Sequence, residues 1–145
     1  MRRTKIVPYG MTIGAAAVLL GTFMPWLRSG TRGRTSYQLL GLVDRLEFAP
    51  DGPAAAAVRW WPIVPLLLVV AVIAAWWDRW YIASVAAAVA GCYALVFALV
   101  IRAAPGRALA GTLVTIVGAV VLLAAAASSA WRAASWRTAS GRTAL

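Results

Sequence analysis

The chain has 145 residues, 63% hydrophobic and 12% charged, with no histidine, one cysteine and a formal net charge of +10. Soluble domains are about half apolar and about a quarter charged, so this composition excludes a disordered tail, a disulfide scaffold and an ordinary water-soluble enzyme. A sequence pI near 11.5 suggests nucleic-acid binding until the charges are placed along the chain.

Placed, they vacate four long stretches: 6–26, 60–77, 81–101 and 108–130 contain no charged residue, and all 18 charges fall outside them. A hydrocarbon layer about 30 Å thick needs ~20 apolar residues of helix, and lipid leaves no backbone group unpaired. The pattern predicts an all-α integral membrane bundle. Four transmembrane helices form a single domain over 1–145, with a loop over 27–59, a short amphipathic helix in that loop and a basic tail over 131–145.

The first stretch follows the basic start Met1–Lys5 and resembles the apolar region of a signal peptide. No small-x-small cleavage site precedes the loop, so a retained anchor is expected. Gly10, Gly14, Ala17 and Gly21 fall at i, i+4, i+7 and i+11, one small-residue stripe down one helix face. Such stripes let helix backbones approach closely in lipid. Gly111 and Gly118, with Thr115, Ala125 and Ser129, repeat the device in the last span, as Ser84, Ala87, Ala88 and Gly91 do in the third. These are candidate helix-packing faces, either inside the bundle (the default) or toward a partner.

The loop opens with Arg28, Arg32 and Arg34 among Ser, Gly and Thr. It reads as a flexible basic arm, and its guanidinium forks are the candidate contact for anionic headgroups. Thr35-x-x-Gln38 fits a capping box. Leu39, Leu42, Val43 and Leu46 then form the i, i+3, i+4, i+7 face of an amphipathic helix ended by Pro50-Asp51-Gly52-Pro53. That helix is expected to lie in the interface, cap the bundle or dock a partner. Asp44 and Glu47 sit one turn apart, but no histidine or nucleophile constellation joins them, so solvated pairing with Arg45 is the expectation rather than acid–base chemistry.

Trp60 and Trp61 open the second stretch, and Trp76 and Trp77 close it. With Trp26, Trp80, Tyr81 and Trp131 they read as an aromatic belt at headgroup level. Pro62 and Pro65 mark a helix start, and Asp78-Arg79 and Pro105-Gly106 mark tight turns between antiparallel spans. Cys92, near the middle of the third span, has no charged neighbour and reads as a small packing residue. A single cysteine and no histidine give no metal-ligand set. The tail repeats Trp131-Arg-Ala-Ala-Ser and Trp136-Arg-Thr-Ala-Ser. A five-residue period rotates a helix by about 140° net, so its arginines form no single stripe and a mobile basic tail is expected.

Nucleic-acid binding fails on this layout, because the basic residues are short stretches divided between two membrane faces. With the N-terminus inside, seven Lys/Arg fall on each side, so the positive-inside count does not decide orientation. The basic start favours a cell-membrane, multi-pass chain with both termini cytoplasmic. Spans without an ionisable residue lack the usual machinery of pumps and proton-coupled transporters.

Thirteen arginines against one lysine suggest a GC-rich genome. Pro25-Trp-Leu-Arg-Ser-Gly30, Arg34-Thr-Ser-Tyr37 and Trp61-Pro-Ile-Val-Pro-Leu66 carry a layout that resembles small, functionally uncharacterised four-helix membrane proteins of actinobacteria. More distantly it is similar to the membrane protein associated with tryptophan operons in those bacteria. The resemblance implies a membrane fold and transfers no catalytic residue. The expectation is a non-enzymatic accessory or assembly subunit without cofactors, acting through helix packing and its first loop. Its partners would be the bilayer and a membrane protein or a second copy. The alternative is a small transport or lipid-interacting component using the basic arm.

Overall fold

A computed structural model of the chain describes residues 6–29, 32–38, 41, 59–103 and 109–141. In chain order the elements are α1 (Ile6–Phe23), β1 (Pro25–Ser29), β2 (Arg32–Thr35), α2 (Ile63–Trp76), α3 (Trp80–Ala103) and α4 (Ala110–Gly141). The molecule is mostly helical. Three of its helical stretches, Ile6–Phe23, Trp80–Ala103 and Ala110–Trp131, are long and apolar enough to cross a membrane.

Prolines and a left-handed residue set the element ends. Met24 precedes Pro25, and a residue before proline disfavours helical backbone. Accordingly α1 stops at Phe23, three residues short of the expected span, and Trp26 turns inward on β1. In α2, Pro62 is the N-cap and Pro65 lies in the first turn, where a missing N–H costs little. Asp78 adopts φ 58° after its end, and the Arg79 N–H reaches back to the Ala74 carbonyl at 2.8 Å, the long closing bond of a Schellman turn. These signals confine α2 to 14 residues, about 21 Å of helix.

At the other extreme, α4 continues to Gly141. The expected mobile tail is therefore helical over 131–141. Its alanines favour helix, and no glycine or proline intervenes before Gly141.

The helices form a ring in which α1 packs on α4, α4 on α3, α3 on α2, and α2 back on α1 across the lightest seam. Neighbours run antiparallel. Tyr9 near the start of α1 meets Trp76 at the end of α2 edge-on at 5.6 Å, while Ser84 early in α3 hydrogen-bonds Ser129 late in α4. The other end gathers the C-terminus of α1, the β1–β2 ribbon and the N-terminus of α4: the Leu109 N–H donates to the Trp26 carbonyl at 2.9 Å.

Small residues set the helix spacing. An added Cβ on Gly14 would come within 2.7 Å of the Leu122 backbone nitrogen, and one on Gly118 within 2.7 Å of the Val18 nitrogen. The backbones of α1 and α4 thus touch where glycine leaves room. The buried face of α3 is Ala83, Ala86, Ala87, Ala90, Gly91, Ala94 and Ala98, so its neighbours supply the bulk of the core. Large apolar side chains point outward instead, among them Ile13, Leu20, Val89 and Val117.

Candidate functional site

The ribbon begins as the solution to a helix-end problem. The last carbonyls of α1 have no intrahelical partner, and at this depth an unpaired carbonyl is costly. The Met24 N–H is shared between the Leu20 and Gly21 carbonyls at 3.2 Å, and side chains from the ribbon and the residue after it supply shorter bonds to Gly21 and Thr22. The Trp26 indole N–H donates to the Gly21 carbonyl at 2.7 Å. The Ser36 hydroxyl donates to the Thr22 carbonyl at 2.7 Å. Trp26, Ser36 and Thr22 are all fully buried, so the ribbon is fastened under the bundle's end, not loosely tethered to it.

Strand pairing is antiparallel, with Leu27 opposite Arg34, Arg28 opposite Gly33 and Ser29 opposite Arg32. This corrects the expected flexible arm. Residues 25–29 and 32–35 are ordered strands, because the buried Trp26 and the α1 cap fix the first strand and give the second an edge to pair with. Residues opposite each other share a face, and successive residues alternate. Arg28 and Arg34 therefore fall on opposite faces of the ribbon. Arg28 is exposed and Arg34 half-buried, and among the described residues neither forms an ion pair. Arg32 lies in β2 opposite Ser29.

Immediately after β2 the capping box forms as the sequence suggested. The Thr35 N–H donates to Gln38 Oε1 at 3.2 Å, and the Gln38 N–H donates to Thr35 Oγ1 at 3.4 Å. Residues 36–38 and 41 are helical. The amphipathic face at Leu39, Leu42, Val43 and Leu46, and the carboxylates Asp44 and Glu47, lie outside the described residues.

Beneath the ribbon the bundle closes on an aromatic cluster. Trp26 and Trp61 meet edge-on at 5.6 Å. Phe97 lies 4.3 Å from Trp61 and 5.7 Å from Trp26, and Tyr93 stacks parallel to Phe97 at 6.5 Å. Edge-on and offset pairs of this kind add to plain area burial. Trp26 and Trp61 are 0% exposed, which overturns their assignment to the aromatic belt. Trp60, Trp76, Trp77 and Trp131 do face outward. Among the described residues, Trp61 Nε1 is a buried donor without a hydrogen-bond partner. Sequence reasoning missed this cluster. The spacing of Tyr93 and Phe97, one turn apart on a helix face otherwise lined by alanine, was the available signal.

The small-residue stripes lie between helices. Gly14, Ala17, Gly21, Gly111 and Gly118 are in the α1–α4 contact: a Cβ on Gly118 would meet Ala17, and one on Gly21 would meet Thr115 and the Gly111 carbonyl. Gly10 sits on the same seam with more room, its nearest neighbour being the Ala125 Cβ at 3.4 Å. These faces are covered by the chain itself. An open groove remains between α3 and α4, lined by Tyr81, Ser84, Ala88, Ala126, Ala127 and Ala130. Cys92 is exposed on the outer face of α3 instead of packing inside, and the described residues hold no cluster of metal-ligating side chains.

Comparison with protein-family models, with curated proteins and with solved structures finds no match.

Proposed function

We propose that this chain is an integral membrane protein whose four antiparallel helices all cross the bilayer, and that it serves as a non-enzymatic accessory or assembly subunit. The observation that carries this reading is the ribbon. It is the one described non-helical element with a paired backbone, and buried hydrogen bonds from Trp26 and Ser36 hold it against the bundle's end. A surface held so firmly outside the helices presents a fixed shape to a partner, and its ordering cost is met in folding, not in binding.

The short α2 fits a spanning role. Apolar sequence runs from Trp60 to Trp77, beyond both helix ends, and a short span is accommodated by local thinning of the bilayer and by interfacial aromatic residues. With four crossings both termini share one side, which the basic start Met1–Lys5 assigns to the cytoplasm. The test is purification of the tagged full chain from its native membrane in gentle detergent. The accessory reading expects a second protein at fixed stoichiometry. Recovery of a lone chain carrying only lipid contradicts it and favours a small transport or lipid-handling component.

A further inference from the structure

The arginine ribbon carries a sharper statement than a basic arm would. Phe23, two residues before β1, is 62% exposed on the apolar outer surface, and Trp60, beside the exposed Arg59, is 59% exposed. An amphipathic ring such as that of Trp60 belongs at the boundary between acyl chains and headgroups, and the apolar Phe23 belongs on its acyl side, so the ribbon emerges at headgroup depth.

The described cations at this end of the bundle are Arg28, Arg32, Arg34, Arg59 and Arg102, with Arg32 two residues before Arg34 on the same strand, while the described carboxylate, Asp78, lies in the α2–α3 turn at the opposite end. Asp44, Glu47 and Asp51 belong to the stretch outside the described residues. Guanidinium groups match phosphate oxygens through parallel N–H donors.

Pairing register then decides how many phosphates can be held. Arg28 stands opposite Gly33, and Arg34 opposite Leu27, so the two guanidinium groups leave the ribbon from opposite faces. To close on one phosphate both side chains would have to wrap the same edge of a ribbon that Trp26 and Ser36 hold in place, whereas each reaches a headgroup from its own face directly. We propose that the ribbon is an anionic-phospholipid contact with two independent positions, one headgroup at Arg28 and another at Arg34, in place of a single three-arginine anion site. This rests on the reading of the chain as a membrane bundle.

The experiment is native mass spectrometry of the full chain in detergent, titrated with phosphatidylglycerol and separately with phosphatidylcholine. Phosphatidylglycerol should be retained preferentially. The wild type should hold up to two phosphatidylglycerol molecules; Arg28→Gln and Arg34→Gln should each weaken one of the two by about fivefold, the effect of one arginine at an anionic surface, and leave the other unchanged, while the double variant should weaken both. Unchanged thermal unfolding would show that the variants fold.

Three results would each overturn the proposal: either single variant losing as much as the double, Arg79→Gln at the opposite end losing as much as Arg28→Gln, or displacement of phosphatidylglycerol by excess inorganic phosphate. Equal retention of the two lipids would overturn it as well. Extraction of the protein from membranes by alkaline carbonate would defeat the membrane reading itself. A chain that stays in the membrane without lipid preference defeats the ribbon proposal alone.

Discussion

Trp26 and Trp61 bury two indoles side by side, and their N–H groups meet different fates. That of Trp26 closes α1 by donating to the Gly21 carbonyl, whereas that of Trp61 finds no acceptor among the described residues. Removing the Trp26 donor loses a short buried hydrogen bond and leaves the Gly21 carbonyl only the longer bond from the Met24 N–H at 3.2 Å, while removing an unsatisfied donor recovers part of its desolvation penalty. Both replacements by phenylalanine lose similar ring area. Trp26→Phe should therefore be the less stable variant by about 1 kcal/mol, read as the difference in unfolding free energy in detergent. Equal destabilisation would mean that the Gly21 bond adds nothing. In sequence the two tryptophans look alike, since Trp26 closes one apolar stretch and Trp61 lies at the opening of the next, each beside a proline, the position that otherwise marks an interfacial anchor. What separates them from Trp60 and Trp77 is packing against Phe97 and the cap on α1, and both depend on residues distant in the chain.

Among the elements, the α1–α4 contact is where sequence pattern and packing correspond most closely. The i, i+4, i+7, i+11 spacing of Gly10, Gly14, Ala17 and Gly21 follows helix periodicity, so one face was legible, though not the element that would cover it. Room differs along the seam. At Gly14 and Gly118 an added methyl would meet backbone atoms at 2.7 Å, and overpacking against backbone costs about 1–3 kcal/mol. At Gly10 its nearest neighbour is a methyl at 3.4 Å, and alanine there recovers up to about 1 kcal/mol of helix propensity. Gly14→Ala and Gly118→Ala should each lower the unfolding midpoint in detergent, while Gly10→Ala should leave it unchanged or raise it. Uniform tolerance of all three would show that α1 and α4 do not touch. The ribbon was much less legible. Arg28 to Thr35 lacks the alternating apolar pattern of a strand, and its one local sign was a Gly30-Thr31 pair suited to a two-residue turn. Its order comes from the α1 end it caps. The helical continuation of α4 to Gly141 was missed for a related reason: a five-residue period forms no stripe, and the alanine content that favours helix was outweighed by that missing stripe.

For the whole molecule, the small residues gather between the helices and the large apolar ones face outward. Alanines and glycines fill the inner face of α3, while Ile13, Leu20, Val89 and Val117 point away from the bundle. In the most apolar 18-residue window of each of the three long stretches only 39–44% of residues are buried, an apolar exposure far beyond what a water-soluble monomer tolerates. The net charge of +10 is what remains when the uncharged stretches are set aside, and the ribbon shows part of it arranged on an ordered element. Cys92, the single cysteine of the chain, is exposed near the middle of α3 and reports on the bilayer without any substitution. The most direct measurement is electron paramagnetic resonance of a nitroxide attached at Cys92 in the reconstituted full chain, comparing relaxation by oxygen and by a water-soluble nickel chelate. A lipid-facing α3 predicts strong relaxation by oxygen and almost none by nickel. Strong relaxation by nickel would place Cys92 in water and contradict the membrane bundle.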